Sequence, residues 1–380
     1  MELNFTLSEF QARLDKVRHS MRREGIDGLL VFSPENMCYL TGYDSMGYVF
    51  YHVLLVPAEG ELTILIPPLT ERVLKETSFI KDYRVYRGDP IKQTADILAE
   101  KSLLGKVVGI EKKGYGLTIA NYESLIASLS NKCTIADASD LIVEIRMIKS
   151  LQEVEYIKEA GRLADLAVQS AFSLLREGKT ELEFSAEIHR ALVSNGSGYS
   201  AFPLLISSGP RAHLNMYCNT ANRKINKGDT TAVEFAGIYN RYHALIARTA
   251  VVGKPRRRVT ELYRNLQEVN SEACIAIRSG IQVGEIHSTI QNAFAKRNIK
   301  QWSASWGYGV GLAYPPSWVE GEPFIQEGGH FTLQPGMVFF LHPRIVLAEE
   351  SIGLRLADTF LITEDGYERI TNASREIVWE

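Results

Sequence analysis

Cysteine is scarce. Four occur in 380 residues, Cys38, Cys133, Cys218 and Cys274, scattered and with no CxxC spacing. They read as reduced core or surface thiols, which fits a reducing compartment. An excess of one charge is missing too. Forty-two Lys and Arg against 45 Asp and Glu leave a net charge of −3 and a pI near 6.3, which gives no footing for a nucleic-acid partner. No apolar run approaches the length of a membrane span. The opening residues, MELNFTLSEFQARLDKVRHSMRREG, carry early acids and no apolar stretch, so a secretory signal is not expected. Together these absences predict a cytoplasmic protein with neither membrane nor nucleic acid as partner.

The hydrophobic content of 45% is enough for ordinary cores, and 380 residues exceed the usual single-domain length, so two domains are expected. Residues 7–25 read as an amphipathic helix, with Leu14, Val17 and Met21 at helical spacing and Gly25 at its end. GLLVFS (28–33) reads as an apolar strand, and 51–57 with 61–67 as a hairpin. A helix at 91–103, a strand at 107–110 and a helix at 117–130 follow. This alternation predicts a small α/β domain. Ser150 then stands as an N-cap with Glu153 at the capping-box place, opening a long helix containing Val154, Ile157, Ala160, Leu163 and Leu166. Beyond it come a helix at 180–196, strands at 230–236 and 242–252, helices at 257–279 and 283–297, and a strand-rich end.

Four C-terminal segments carry a resemblance. They are TAVEFAGIYNRYHALIARTAVVG (231–253), WGYGVGL (306–312), PGMVFFLHPRI (335–345) and GLRLADT (353–359). In order and spacing they are similar to the motifs of the pita-bread family, which includes creatinases, Xaa-Pro dipeptidases and methionine aminopeptidases. The resemblance implies an α/β (α+β) chain. A creatinase-type N-terminal domain would span 1–148 and a pita-bread catalytic domain, with its internal duplication of helix and strand pairs, 149–380.

The family's metal-binding peptidases have aspartates where this chain has Glu234 and Leu245. They have histidine at Tyr308 and glutamates at His342 and Ala357. A two-metal site needs about four to six oxygen or nitrogen donors. The resemblance therefore points to the metal-free branch, with no cofactor. GLAYPPSWVEGEPF (311–324) and NRYHALIART (240–249) resemble segments of ectoine hydrolases, although Ser317 stands where that group has Asp.

In that branch His213 would move the proton during water attack, and imidazole qualifies with an ordinary pKa of about 6.5. Glu234 lies in an apolar strand, where a carboxylate is costly to bury without a partner; it would hold a cationic substrate group. Tyr242 and His243 alternate on opposite faces, and the family register puts His243 on the face of Leu245. The resemblance adds Tyr308, Trp318, His342, Arg355 and Asp358 as substrate-binding candidates, and leaves Arg248 a structural role. The aromatic loop 38–52 corresponds to one that reaches the partner's active site in creatinase-like dimers, which implies a homodimer. The function implied is metal-independent hydrolysis of a non-peptide C–N bond in a small zwitterionic amidine or guanidine. An Xaa-Pro aminopeptidase with atypical ligands and a non-enzymatic binding protein are the alternatives.

Overall fold

The computed structural model describes residues 3–214 and 218–379; residues 215–217, which follow the candidate His213 in sequence, lie outside them. The chain divides into two compact units, Met1–Arg146 and Met147–Glu380.

In the first unit Thr6 caps α1 (Leu7–Glu24), which buries Phe10, Leu14, Val17 and Met21, the expected helical stripe. Gly25 closes it with φ 68°, a conformation that side chains disfavour. β1 (Gly28–Val31) is shorter than the run 28–33 suggests, because Ser33 already begins α2 (Pro34–Thr41). β2 (Val53–Pro57) and β3 (Thr63–Ile66) form the antiparallel hairpin. α3 (Glu71–Thr77), β4 (Asp82–Val85), α4 (Pro90–Glu100), β5 (Val107–Ile110), α5 (Ile119–Leu129), β6 (Thr134–Asp137) and α6 (Leu141–Met147) follow. The described strands form one six-stranded sheet in the order β4-β3-β2-β1-β5-β6. Leu30, Val53, Leu65 and Ile110 fill its core with Leu98 and Leu125 from the helices.

The second unit pairs helices with antiparallel strands twice, as the pita-bread fold does. α7 (Leu151–Phe172) starts on a complete Ser150/Glu153 capping box, and α8 (Glu181–Ser194) on a second one at Thr180. They cover β7 (Leu205–Ser208), β8 (Thr230–Tyr239) and β9 (Tyr242–Val251), burying Leu163, Phe184, Val233 and Ile246 together. α7 sits so close to β8 that a Cβ on Gly237 would collide with the carbonyl oxygen of Ala160, so only glycine fits there. Asn240 and Arg241, at φ 48° and 69°, turn β8 into β9.

The second half has α9 (Arg257–Ala276), α10 (Val283–Lys296), β10 (Gly307–Gly309), β11 (Val338–Leu341), β12 (Arg344–Leu347), β13 (Ile352–Arg355), β14 (Asp358–Thr363), β15 (Gly366–Arg369) and β16 (Val378–Trp379). Among the described residues the sheets order as β16-β9-β8-β7 and β10-β11-β14-β15, with β12 and β13 a separate pair. Leu266, Ile290, Trp306, Phe339 and Leu354 share the core of this half. No described helix is long and apolar enough to cross a membrane.

Candidate active site

In the second unit, residues from both halves of the duplication wall a cavity of about 160 Å³. Glu234 enters from the middle of β8, paired with Leu205 on β7 and Ala247 on β9. Tyr308 comes from the middle of β10, opposite Phe340, and His342 from the residue after β11. Arg344 and Arg355 face each other in register across β12 and β13, and Phe202 and Trp318 come from loops. Strands supply the charged groups, so their positions are set by the ladders rather than by loop conformation.

The aromatic members hold one another. The Trp318 indole N–H donates to the Tyr308 hydroxyl at 3.0 Å, and Phe202 packs on Trp318 with ring centres 5.1 Å apart. The His342 ring packs against both Phe340 and Tyr308, with ring centres 5.4 and 5.2 Å away. Arg344 donates one guanidinium N–H to Nδ1 of His342 at 3.0 Å and another to the Ser303 hydroxyl at 2.8 Å. Nε2 of His342 is buried and without a partner among the described residues. Burial, then Arg344 and Arg355, hold the His342 imidazole well below its ordinary pKa, so the ring is neutral. Glu234 is buried, and no described residue hydrogen bonds to its carboxylate; burial raises its pKa against the opposing pull of Arg355 and Arg344.

Of the residues singled out in the sequence, Glu234, Tyr308, Trp318, His342 and Arg355 come together in this wall. Three do not. The imidazole of His243 donates from Nδ1 to the carbonyl of Arg241 at 2.8 Å and accepts the Ala201 N–H at 3.0 Å on Nε2. Both its nitrogens are thus used within the fold, and burial depresses its pKa to about 4. Asp358 is 1% exposed and pairs with Arg248 at 2.6 Å and Arg375 at 3.2 Å, while accepting the Thr371 hydroxyl. It points into an ionic cluster, not the cavity, and Arg248 has the structural place expected of it. His213 stands half-buried on the turn Gly209–Leu214, outside the cavity wall, with Nδ1 buried and without a partner among the described residues. That turn packs on β13 so tightly that a Cβ on Gly353 would collide with the carbonyl oxygen of Ala212.

Arg344 and Phe202 escaped the sequence reading. Arg344 had a signal: it stands two residues after the His342 ligand place in PGMVFFLHPRI, and a guanidinium there changes the charge of whatever it lines.

The donor set does not fit a pair of divalent cations. Leu245 and Ala357 are fully buried and offer no side-chain lone pair, and the Asp358 carboxylate is engaged by two guanidinia. Among the described residues no three His, Cys, Asp or Glu side chains cluster as a metal site. The described cavity wall instead carries one carboxylate and two guanidinia, and a cation would meet the charge of Arg344 and Arg355.

Residues 155–364 match the model of metallopeptidase family M24, and residues 13–148 that of the creatinase/prolidase N-terminal domain. The ectoine hydrolase of Halomonas elongata is 28% identical, with 99% of this chain and 98% of that one covered. The Xaa-Pro dipeptidase of Pyrococcus furiosus is 30% identical, with 96% and 99% covered. The prolidase structure from Thermococcus sibiricus superposes with a TM-score of 0.89 at 26% identity, over 98% of this chain and 99% of that one.

Proposed function

This chain belongs to metallopeptidase family M24, yet its ligand places hold Leu245, Tyr308, His342 and Ala357, and we propose that it is a hydrolase working without metal on a C–N bond, other than a peptide bond, in a small carboxylate-bearing compound. The observation that carries this reading is the charge of the cavity wall: among the described residues Arg344 and Arg355 line it with a single carboxylate, Glu234. Arginine binds carboxylates through paired N–H donors, so the two arginines take the substrate's acid group. The flat walls of Trp318 and Phe202 suit a planar reacting group.

Glu234 serves as the proton carrier. As water attacks the planar carbon, its proton passes to the carboxylate and a π pair moves onto the group opposite. Collapse then breaks the C–N bond, and the nitrogen leaves with the bond pair and the proton that Glu234 returns. A carboxylate raised by burial is suited to both transfers. The resemblance implied His213 for this step. Glu234 is preferred because it lies in the cavity wall and His213 does not. Similarity to the ectoine hydrolase supports the bond class.

A second reading, hydrolysis of Xaa-Pro peptides, draws on the equally extensive similarity to Xaa-Pro dipeptidases. A hydrolysis screen of small amidines, guanidines, lactams, ureido acids and Xaa-Pro dipeptides, run with and without chelator, separates the two. Turnover of a non-peptide substrate, unchanged by chelator in protein free of stoichiometric manganese, cobalt or zinc, is expected. Chelator-sensitive cleavage of a dipeptide alone would establish the second reading.

A further inference from the structure

The cavity wall is rich in donors and poor in acceptors, and one of the donors is fixed by chemistry. A guanidinium carries N–H groups only and no acceptor lone pair. Its 3.0 Å contact with Nδ1 of His342 therefore makes that nitrogen the acceptor. The ring proton then sits on Nε2, and His342 is a neutral imidazole with a single N–H to give. Phe340 and Tyr308 hold the ring plane, and Ser303 anchors Arg344 from behind. Nε2 is buried without a partner among the described residues. A buried donor with no acceptor is costly, so the group that satisfies it is expected from the ligand.

We propose that the site takes an anionic substrate whose attacked carbon bears an oxygen, as in an amide, lactam or ureido acid, and that Nε2–H of His342 binds that oxygen. This rests on the hydrolase reading of the same cavity. An amidinium or guanidinium end offers only N–H donors and a positive charge. It would meet a third donor at His342 and like charge at Arg344 and Arg355, with Glu234 the only anionic partner among the described residues of the wall. A carbonyl oxygen accepts the His342 N–H in the ground state and more strongly once water has attacked and the π pair has moved onto it. Arg344 is a positioning residue here: it fixes which ring nitrogen carries the proton.

The test compares two ligands with one skeleton, N-carbamoylglycine and guanidinoacetate, which differ by an oxygen in place of a charged nitrogen. Calorimetric binding to the full chain is expected to favour the ureido acid by at least about tenfold, roughly the value of one buried hydrogen bond. His342→Phe, which keeps a flat ring without the N–H, should erase that preference. Equal or tighter binding of guanidinoacetate to the wild-type chain, or no binding of either at millimolar concentration, overturns the proposal. Binding needs no turnover, so an absence of hydrolysis with the preference intact would count against the hydrolase reading alone. Should His342→Phe fail to fold, nitrogen NMR of histidine-labelled wild-type protein gives the second readout. His342, assigned by its change in Arg344→Leu, should show protonated Nε2 and bare Nδ1, and the reverse tautomer would overturn the assignment.

Discussion

Replacing Asp358 with alanine should unfold the second unit far more readily while leaving its cavity able to bind. Asp358 is 1% exposed and faces Arg248, 2% exposed, at 2.6 Å. Removing one partner of a buried ion pair typically costs about 3–5 kcal/mol, because the remaining charge stays in the interior. Two features put this case at the low end. The Arg248 guanidinium also donates to the carbonyls of Ser374, Ala247, Ala357 and Ala373, and Arg375, the other partner, is 21% exposed and reaches water. A loss of about 3 kcal/mol, with a urea slope of about 2 kcal/mol/M, lowers the midpoint by about 1.5 M. The assay is tryptophan fluorescence in urea, since all four tryptophans, Trp302, Trp306, Trp318 and Trp379, lie in the second unit. A midpoint lowered by less than about 0.3 M would refute the structural role. So would a folded variant that had lost ligand binding outright, which would return Asp358 to the binding residues.

Glu111 is buried in the first unit, where it accepts the Phe32 and Ser33 N–H groups and the Asn36 amide, and burial raises its pKa to about 7. Its folded pKa lies above its ordinary 4.5, so its contribution is fully present below pH 4.5 and lost as pH rises through 7; Glu111→Gln should shrink the stability difference between pH 5 and pH 8 in urea titrations followed by circular dichroism, and an unchanged difference would reject the shift. Glu234→Gln should lower turnover about 10²- to 10⁴-fold with a smaller change in KM, whereas His213→Ala should leave turnover within about tenfold of wild type; the opposite ranking would restore His213 as the base. We also propose a homodimer, with the aromatic segment 38–52 at the interface, and light scattering at micromolar concentration should give twice the chain mass; a fully active monomer would end that idea.

Much of the fold was legible because its signals are local. Helical spacing found α1 and α7, and the Ser150/Glu153 pair marked where α7 begins. The strands flanking Asn240 and Arg241 showed in their apolar runs. α2 was not legible: PENMCYLT is buried at six of its eight positions and presents no polar stripe to set a period. At the site, Glu234, Tyr308, His342 and Arg355, singled out by their motif places, line one cavity, because the motifs lie on or beside strands whose ladders set where their side chains go. The same logic failed at His243 and Asp358, whose partners are the Ala201 and Arg241 main chain and the Arg248 and Arg375 guanidinia. Such pairings span up to 110 positions along the chain and leave no mark on the spacing. Arg344 stands inside the segment PGMVFFLHPRI, but its reach to His342 is a three-dimensional fact.

Arg344 and Arg355 sit directly opposite on a two-stranded ladder, and like charges so placed push apart. Both arginines line the cavity with Glu234, so a carboxylate bound there would offset part of the cost of placing two guanidinia on one ladder. A carboxylate arriving there does more than anchor itself, because it also steadies Arg344, through which the ring of His342 is held.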